Sequence, residues 1–292
     1  MIDVDLALSR FVAGVGAENL RALGVVVRVG AEQREHRWHS DERTNIYSVS
    51  KGVSALAAGF AFDEGLLTPA SRVSQLLPDL TLGNGVDEVT IEHLLTMTSS
   101  IDFAWFEGDP WPEVDLAQAM LSRPSRGRGA VFQYSDASAY VAMRMLGAIV
   151  GDVRDWLIPR LFEPLGIEEP EWHRCPDGWI VAGSGLELRT VELARIGQVL
   201  RDRGVWNGRR LLSAERVDRM HSSWIDTGGP DPFTHYGLAA WKGPRDCWRL
   251  DGALGQYVIV DSAHDAVVTI TADEPERDHR LAEIAGDALS VA

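Results

Sequence analysis

Strand-forming segments lie near the two ends of this chain, and a long, mostly helical stretch separates them. Near the amino terminus, a β-branched run at Gly24–Gly30 and a more polar segment at Gln33–Trp38 are joined by a short turn. Four more strands are expected near the carboxyl terminus, at Tyr236–Trp241, Cys247–Leu250, Tyr257–Val260 and Ala266–Thr271. Because strands joined by short turns form antiparallel sheets, we expect one antiparallel sheet built from both ends of the chain.

Helical patterns account for most of the remaining sequence. Residues 3–17 and Asp278–Leu289 are amphipathic and lie at the two ends, where they would cover one face of the sheet. The other expected helices are Tyr47–Leu67, Thr90–Thr98, Ser135–Val150, Trp156–Leu165, Thr190–Arg203 and Ser213–His221. The predicted fold class is α/β, more narrowly α+β. We expect a single domain over 1–292, with an α/β lobe at about 1–67 and 181–292 and a mostly helical insert lobe at about 68–180.

The charge of the chain limits its partners. Asp and Glu number 43 against 28 Lys and Arg, which gives a formal net charge of −15. Such a surface repels phosphate groups, so neither nucleic acid nor an anionic membrane is an expected partner. No stretch approaches the apolar length of a membrane span, and Met1–Asp5 lacks the basic start of a signal peptide. We expect a cytoplasmic protein, with Cys175 and Cys247 as free thiols; its oligomeric state stays open.

The most informative residues are Ser48 and Lys51, at the start of the expected helix Tyr47–Leu67. Residues three apart share a helix face, so the two side chains come within hydrogen-bond reach. A serine hydroxyl needs a neighbouring base to act as a nucleophile, and a lysine whose pKa is lowered can be that base. A serine at a helix start also has a free backbone N–H for a developing oxyanion. The plainer alternative is a helix-capping serine beside a solvated lysine.

An ordered series of segments favours the catalytic alternative, because the chain resembles the serine β-lactamase and penicillin-binding-protein superfamily. Class C β-lactamases, family VIII carboxylesterases and 6-aminohexanoate-dimer hydrolases are the nearest branch. The resemblance covers nearly the whole chain. The matching segments are Ser48–Lys51, Asp63–Leu67, Leu77–Pro78, Thr90–Ser99, Phe132–Asp136, Phe162–Ile167, Gly183–Leu186, Gly204–Gly208 and Gly252–Tyr257. The resemblance implies a β-lactamase/transpeptidase-like fold, Ser48 as nucleophile, and a reaction through an acyl-enzyme without metal or organic cofactor.

The same resemblance assigns roles to further residues. Tyr134 would move protons together with Lys51, and whether Lys51 or Tyr134 is the general base stays open, because the two groups titrate as a coupled pair. The oxyanion hole would consist of the backbone N–H groups of Ser48 and Ala253. Gly252 would permit the close approach of the backbone that this requires.

Two departures from the family pattern bear on the substrate. The family's Tyr-x-Asn reads Tyr134-Ser135-Asp136, so an amide donor is replaced by a carboxylate that accepts from Lys51 but cannot donate when ionised. The third motif reads Leu250-Asp251-Gly252 and lacks a cation at its first position, so a substrate carboxylate would meet Leu250 and a repulsive Asp251. Arg249 is a doubtful substitute, because neighbours on a strand point to opposite faces.

We therefore expect a small-molecule substrate with a neutral ester or amide bond. Gln256 resembles the esterase and aminohexanoate-hydrolase side of the superfamily and is a candidate pocket residue. Trp105 and Trp111 are candidates too, with packing between lobes as an equal alternative.

Two rival functions remain. A β-lactamase or D-Ala-D-Ala carboxypeptidase shares the nucleophile but is expected to carry an export signal and a cationic third motif. The other rival is a catalytically silent homologue that binds a ligand or partner, which the changes at Asp136 and Leu250 permit and the intact Ser48, Lys51 and Tyr134 oppose.

Overall fold

A computed structural model describes residues 2–290. Its helices are α1 Val4–Glu18, α2 Ser50–Asp63, α3 Val73–Leu76, α4 Ile91–Leu95, α5 Leu116–Leu121, α6 Asp136–Val150, α7 Val153–Leu157, α8 Thr190–Arg201, α9 Ala214–Met220 and α10 Asp278–Ala288. Short 3-10 turns occupy Tyr47–Val49, Val86–Glu88 and Ala253–Gly255, and a π-helical turn occupies Ile158–Phe162.

The strands are β1 Ala22–Val29, β2 Glu32–Arg37, β3 Thr44–Asn45, β4 Glu187–Leu188, β5 Val205–Trp206, β6 Arg209–Arg210, β7 Ile225–Asp226, β8 His235–Tyr236, β9 Trp241–Lys242, β10 Trp248–Gly252, β11 Gln256–Asp261 and β12 Ala266–Ala272. Eight of them form one antiparallel sheet in the order β2-β1-β12-β11-β10-β9-β8-β7. Because β1 pairs with β12, in the register Val25 opposite Ile270, the two ends of the chain share one sheet. This arrangement confirms the predicted fold class.

The two faces of the sheet bury different helices, because side chains alternate along each strand. On one face, Phe11 of α1 and Leu281 of α10 belong to the same core cluster as Ile259 of β11. On the other face, α8 packs closely enough that a Cβ on Gly197 would lie 3.1 Å from the side chain of Val258. Helix α2 lies against β10 on this second face, which places the start of α2 beside the end of β10.

Three predicted elements differ from the structure. The segment Tyr236–Trp241 is two short strands, because Ala239 adopts a left-handed φ of 57° and Gly237 N–H donates to Ala240 O at 2.7 Å. The helix expected at Tyr47–Leu67 begins as a 3-10 turn and ends at Asp63. The helix expected at Trp156–Leu165 begins three residues earlier as α7 and continues into the π-helical turn.

Two smaller expectations can also be compared with the described residues. Cys175 and Cys247 are both free and buried, as predicted. Among residues 2–290, no helix has the length and apolarity to cross a lipid bilayer.

Candidate active site

Ser48 lies in the 3-10 turn between β3 and α2, and this turn is held from one side by Asn45. Tyr47 adopts a left-handed φ of 47°, which is uncommon for a bulky residue and marks a constrained backbone. Its N–H donates to Asn45 Oδ1 at 2.7 Å, and Gly185 N–H donates to the same oxygen at 3.1 Å. The Asn45 amide therefore fixes the turn that carries Ser48 against the segment before β4.

Lys51 lies in the first turn of α2 and is almost completely buried, with 1% of its side chain exposed. Its Nζ donates to Ser48 Oγ at 2.7 Å and to Gly183 O at 2.9 Å. A third hydrogen bond joins Nζ to Asp136 Oδ1. A lysine ammonium has three N–H donors, so these contacts satisfy all of them.

Asp136 begins α6, directly after the N-cap residue Ser135. One carboxylate oxygen accepts from Lys51, as the sequence indicates, and the other accepts from Glu107 N–H at 2.9 Å. The N-terminus of α6 further favours a negative charge here. Because both oxygens are occupied, Asp136 is a counter-ion for Lys51 and not a group free to meet a substrate amide.

The charge of Lys51 follows from these neighbours. Burial alone would lower the pKa of Lys51, but the adjacent Tyr134 and Asp136 oxygens favour the ammonium. The net effect raises the pKa of Lys51 above its ordinary value. These neighbours therefore favour the ammonium form of Lys51 beside the Ser48 hydroxyl.

Tyr134 is part of a series of packed aromatic rings, and its own ring contacts Lys51. The Lys51 Nζ lies 4.6 Å from the centroid of the Tyr134 ring. That ring lies 6.0 Å from Phe106 on one side and 5.4 Å from Trp241 on the other. Phe233 follows, with its centroid 4.9 Å from that of Trp241. We call Phe106, Tyr134, Trp241 and Phe233 the aromatic wall; Phe132 and Tyr236 pack against it.

The end of β10 lies against the turn that carries Ser48. A Cβ on Gly252 would lie 2.5 Å from Ile46 O and 3.2 Å from Val49 Cγ2, so only glycine permits this approach. Ala253 follows at once and opens the next 3-10 turn. Leu250 packs on α2, where a Cβ on Gly52 would overlap its side chain. Thus Leu250 makes an apolar contact at the position where the family pattern carries a cation.

Asp251 points away from Leu250 and is paired with Arg249. Arg249 Nε donates to Asp251 Oδ2 at 2.7 Å, and the side chains of Arg249 and Asp251 are 2% and 10% exposed. The expectation that Asp251 would repel a substrate carboxylate as a free charge is wrong, because alternation along β10 turns both residues to the opposite face from Leu250. Arg249 is committed to Asp251 and to the carbonyls of Lys242 and Pro232, so it does not replace the missing cation.

A polar network that the sequence did not indicate contacts Asp136 through Glu107. His173 Nδ1 lies 2.7 Å from Glu107 Oε1, and its Nε2 lies 3.2 Å from Glu187 Oε1. Glu107 Oε2 accepts from Asn45 Nδ2 at 3.3 Å, which links this network to the Ser48 turn. Burial opposes a charged imidazole, but the two carboxylates outweigh it and raise the pKa of His173. Residues 45, 107, 173 and 187 are too far apart in sequence for spacing to predict this.

The three pocket candidates have different environments. Gln256 is fully buried, and its Nε2 donates to Ala272 O at 2.6 Å and to Ala253 O at 3.4 Å. The expectation that Gln256 is a pocket residue is therefore wrong. Its side chain instead stabilises the Ala253 turn through these hydrogen bonds. Trp105 is buried; its N–H donates to Ser135 Oγ, and its carbonyl oxygen accepts from the same hydroxyl. Trp111 is 38% exposed and packs on Trp105 with ring centroids 4.6 Å apart.

Comparison with known proteins places this geometry in context. Residues 9–291 match the family model described as Beta-lactamase. The 6-aminohexanoate-dimer hydrolase of Paenarthrobacter ureafaciens is 24% identical over 269 residues, which cover 82% of this chain and 68% of that protein.

Two solved structures share the fold. A family VIII carboxylesterase superposes with a TM-score of 0.75 at 16% identity, over 98% of this chain and 97% of the other. A beta-lactamase/D-alanine carboxypeptidase from Pseudomonas syringae gives a TM-score of 0.76 at 14% identity, over 98% of each chain. At such identities the structural likeness speaks for the fold and leaves the substrate open.

Proposed function

Because the chain belongs to the beta-lactamase family, we propose that it is a serine hydrolase that cleaves a neutral ester or amide through an acyl-enzyme on Ser48. The observation that carries this proposal is the hydrogen bond from Lys51 Nζ to Ser48 Oγ at 2.7 Å, in a site where Lys51 is buried and paired with Asp136. A buried ammonium that donates to the serine oxygen favours the negative charge that develops there when a base removes the serine proton.

Tyr134 is the general base in this proposal. The three N–H groups of Lys51 are donated to Ser48, Asp136 and Gly183, so its nitrogen has no lone pair with which to take a proton. The proton passes instead to Tyr134, whose ring centroid lies 4.6 Å from Lys51 Nζ. Lys51 orients the Ser48 oxygen through its hydrogen bond to Oγ.

The proton balance follows from this assignment. Ser48 Oγ attacks the carbonyl carbon as its proton passes to Tyr134, and the oxyanion is held by the N–H groups of Ser48 and Ala253. The carbon–oxygen or carbon–nitrogen bond then breaks, and Tyr134 returns the proton to the alcohol or amine that leaves. Water attacks the acyl-enzyme by the same route, giving a carboxylic acid and free Ser48.

A neutral substrate is favoured by the charges around Ser48. The Lys51 ammonium is matched by Asp136, and Leu250 contributes only an apolar contact to α2. Arg249 is neutralised by Asp251 on the other face of β10. No charge in this set is left to bind a substrate carboxylate, which argues against a β-lactam or a peptidoglycan stem as the preferred substrate.

The proposal is tested with p-nitrophenyl acetate, nitrocefin and a fluorophosphonate probe on the purified protein. We expect ester turnover, slow or no turnover of nitrocefin, and probe attachment to Ser48 that is absent from Ser48→Ala. Tyr134→Phe should lower kcat by about 10²-fold or more if Tyr134 transfers the proton. Nitrocefin turnover equal to ester turnover would favour a β-lactamase instead, and absence of both turnover and labelling would favour a silent homologue.

A further inference from the structure

The aromatic wall has solvent-facing rings on both sides of its catalytic member. Phe106 is 39% exposed and Phe233 is 38% exposed. Between them, Tyr134 is half-buried and Trp241 is buried. The wall therefore presents two solvent-exposed rings that are connected to Lys51 through the rings of Tyr134 and Trp241.

The rings of the wall are packed in an orderly way. Tyr134 and Trp241 are tilted by 46°, and Trp241 and Phe233 meet edge-to-face at 70°. Behind them, Tyr236 meets both Tyr134 and Trp241 edge-to-face, at 82° and 72°. Aromatic rings prefer such offset and edge-to-face contacts at centroid distances of roughly 4.5–7 Å. A further ring placed beside Phe233 or Phe106 would continue this array.

Two buried cations hold the wall in place. Lys51 lies 4.6 Å from the Tyr134 centroid, and Arg249 Cζ lies 5.4 Å from the Phe233 centroid. Each cation is itself fixed by an aspartate, Asp136 for Lys51 and Asp251 for Arg249. A rigid subsite loses little freedom when a ligand binds, so a surface held in this way is suited to recognition.

We propose that the aromatic wall is the subsite for an uncharged aromatic ring on the substrate, carried by either its acyl or its alcohol or amine part. This inference rests on the proposed function, because Ser48 is taken as the nucleophile. Phe233 and Phe106 are then specificity-determining residues. A flexible alkyl chain of the same size gains area burial on the wall but no edge-to-face contact, and a charged ring gains no counter-ion from the committed cations.

The experiment compares matched ring pairs. Methyl phenylacetate against methyl cyclohexylacetate varies the acyl side, and benzyl acetate against cyclohexylmethyl acetate varies the alcohol side. Values of kcat/KM are divided by the rate of alkaline hydrolysis of each ester, which removes intrinsic reactivity. The cyclohexyl group is the more hydrophobic of the two, so area burial alone favours it. We expect the phenyl ester to be preferred in at least one pair by about 3–10-fold.

Variants at three exposed positions test whether the phenyl preference comes from the aromatic wall or from another exposed ring. Phe233→Leu and Phe106→Leu replace surface rings and should reduce the phenyl preference toward unity. Trp111→Leu is the matched control, because Trp111 is equally exposed but packs on Trp105. Trp111→Leu should leave the phenyl preference unchanged. If Trp111→Leu abolishes the preference and the two phenylalanine variants keep it, the subsite lies at Trp105 and Trp111, and the proposal is overturned.

Failure of this inference is distinguishable from failure of the proposed function. Equal, Ser48-dependent hydrolysis of phenyl and cyclohexyl esters in both pairs would reject the aromatic subsite and keep the serine hydrolase. Loss of all ester turnover together with an unlabelled Ser48 would reject the serine hydrolase itself, and the aromatic subsite with it.

Discussion

The molecule contains two buried cation–aspartate pairs that each contact a ring of the aromatic wall, Lys51 with Asp136 and Arg249 with Asp251. In both pairs the side chains are 10% exposed or less. Lys51 gives one of its three hydrogen bonds to Ser48, whereas Arg249 gives its remaining hydrogen bonds to the backbone carbonyls of Lys242 and Pro232. Under the proposed function, one pair thus acts on Ser48, whereas the other connects β10 to β9 and to the segment before β8.

The difference arises from where each cation lies along its element. Lys51 follows Ser48 by three positions at the start of a helix, which brings both to one face. Arg249 lies on a strand, and alternation turns it away from Leu250. Position in the element, more than residue type, decides which of the two cations contacts Ser48.

The largest expected effect is at Lys51. Lys51→Met removes the ammonium that donates to Ser48 Oγ and orients it, so turnover of p-nitrophenyl acetate should fall by about 10²–10⁴-fold. Steady-state kinetics checks this, with far-ultraviolet circular dichroism to show that the fold is retained. A folded variant with more than a tenth of wild-type kcat would contradict the role given to Lys51.

Arg249→Met should lower the stability of the protein much more than its turnover, the opposite of Lys51→Met. It leaves Asp251 buried without its partner, which typically costs about 3–5 kcal/mol of unfolding free energy. Turnover of the small acetate ester, measured under conditions where the variant is folded, should change by less than tenfold. Urea denaturation gives the stability, and an Arg249→Met protein as stable as wild type would show that this pair does not stabilise the packing of β10 against β9 and Pro232.

The pH dependence of stability offers a finer contrast at Asp251. Burial raises the pKa of Asp251 to about 6, although Arg249 acts to lower it. Between the unfolded value near 4 and about pH 6, the folded state holds a proton that the unfolded state has released, so stability falls as pH rises. Relative to Asp251→Asn, the wild type should lose about 1–3 kcal/mol from pH 4 to pH 6. Parallel stability curves for the two proteins would reject this titration.

The smallest effect is expected at His173, which is linked to Asp136 through Glu107. The pKa of His173 is raised by Glu107 and Glu187 against the effect of burial, so its stabilising contribution is present at low pH and is lost as pH rises through the raised value. Thermal melts from pH 6 to pH 9 should show wild type losing stability relative to His173→Gln. His39→Gln, at an exposed position, is the control and should melt in parallel with wild type; a parallel His173→Gln curve would rule out the effect.

The sequence could predict the parts of this site that depend on local spacing. Ser48 and Lys51 share a helix start, and the strands near both chain ends alternate or are β-branched, so motif and fold class follow from short-range patterns. The family resemblance predicts Gln256 as a pocket residue, but β11, which begins at Gln256, is buried on both faces. The segment Tyr236–Trp241 is divided into two strands by a left-handed residue at Ala239. Glycine is the usual residue in that conformation, so an alanine there gives no signal in the sequence.

The long-range parts of the site could not be predicted from one sequence. Trp241 meets Tyr134, and Phe233 meets Trp241, only after β8 and β9 join the sheet, about a hundred residues further along the chain than Tyr134. The link from His173 to Asp136 through Glu107 likewise depends on loops brought together by packing. Such contacts leave no periodic signal, because they are set by tertiary structure.

The most direct test of the central claim is mass spectrometry of the protein quenched with acid during turnover of p-nitrophenyl acetate. The account predicts an adduct of one acetyl group on the peptide that contains Ser48, absent from Ser48→Ala and slow to form in Lys51→Met. Unmodified Ser48 throughout turnover, or an acetyl group that persists on the Ser48→Ala protein with undiminished hydrolysis, would contradict it.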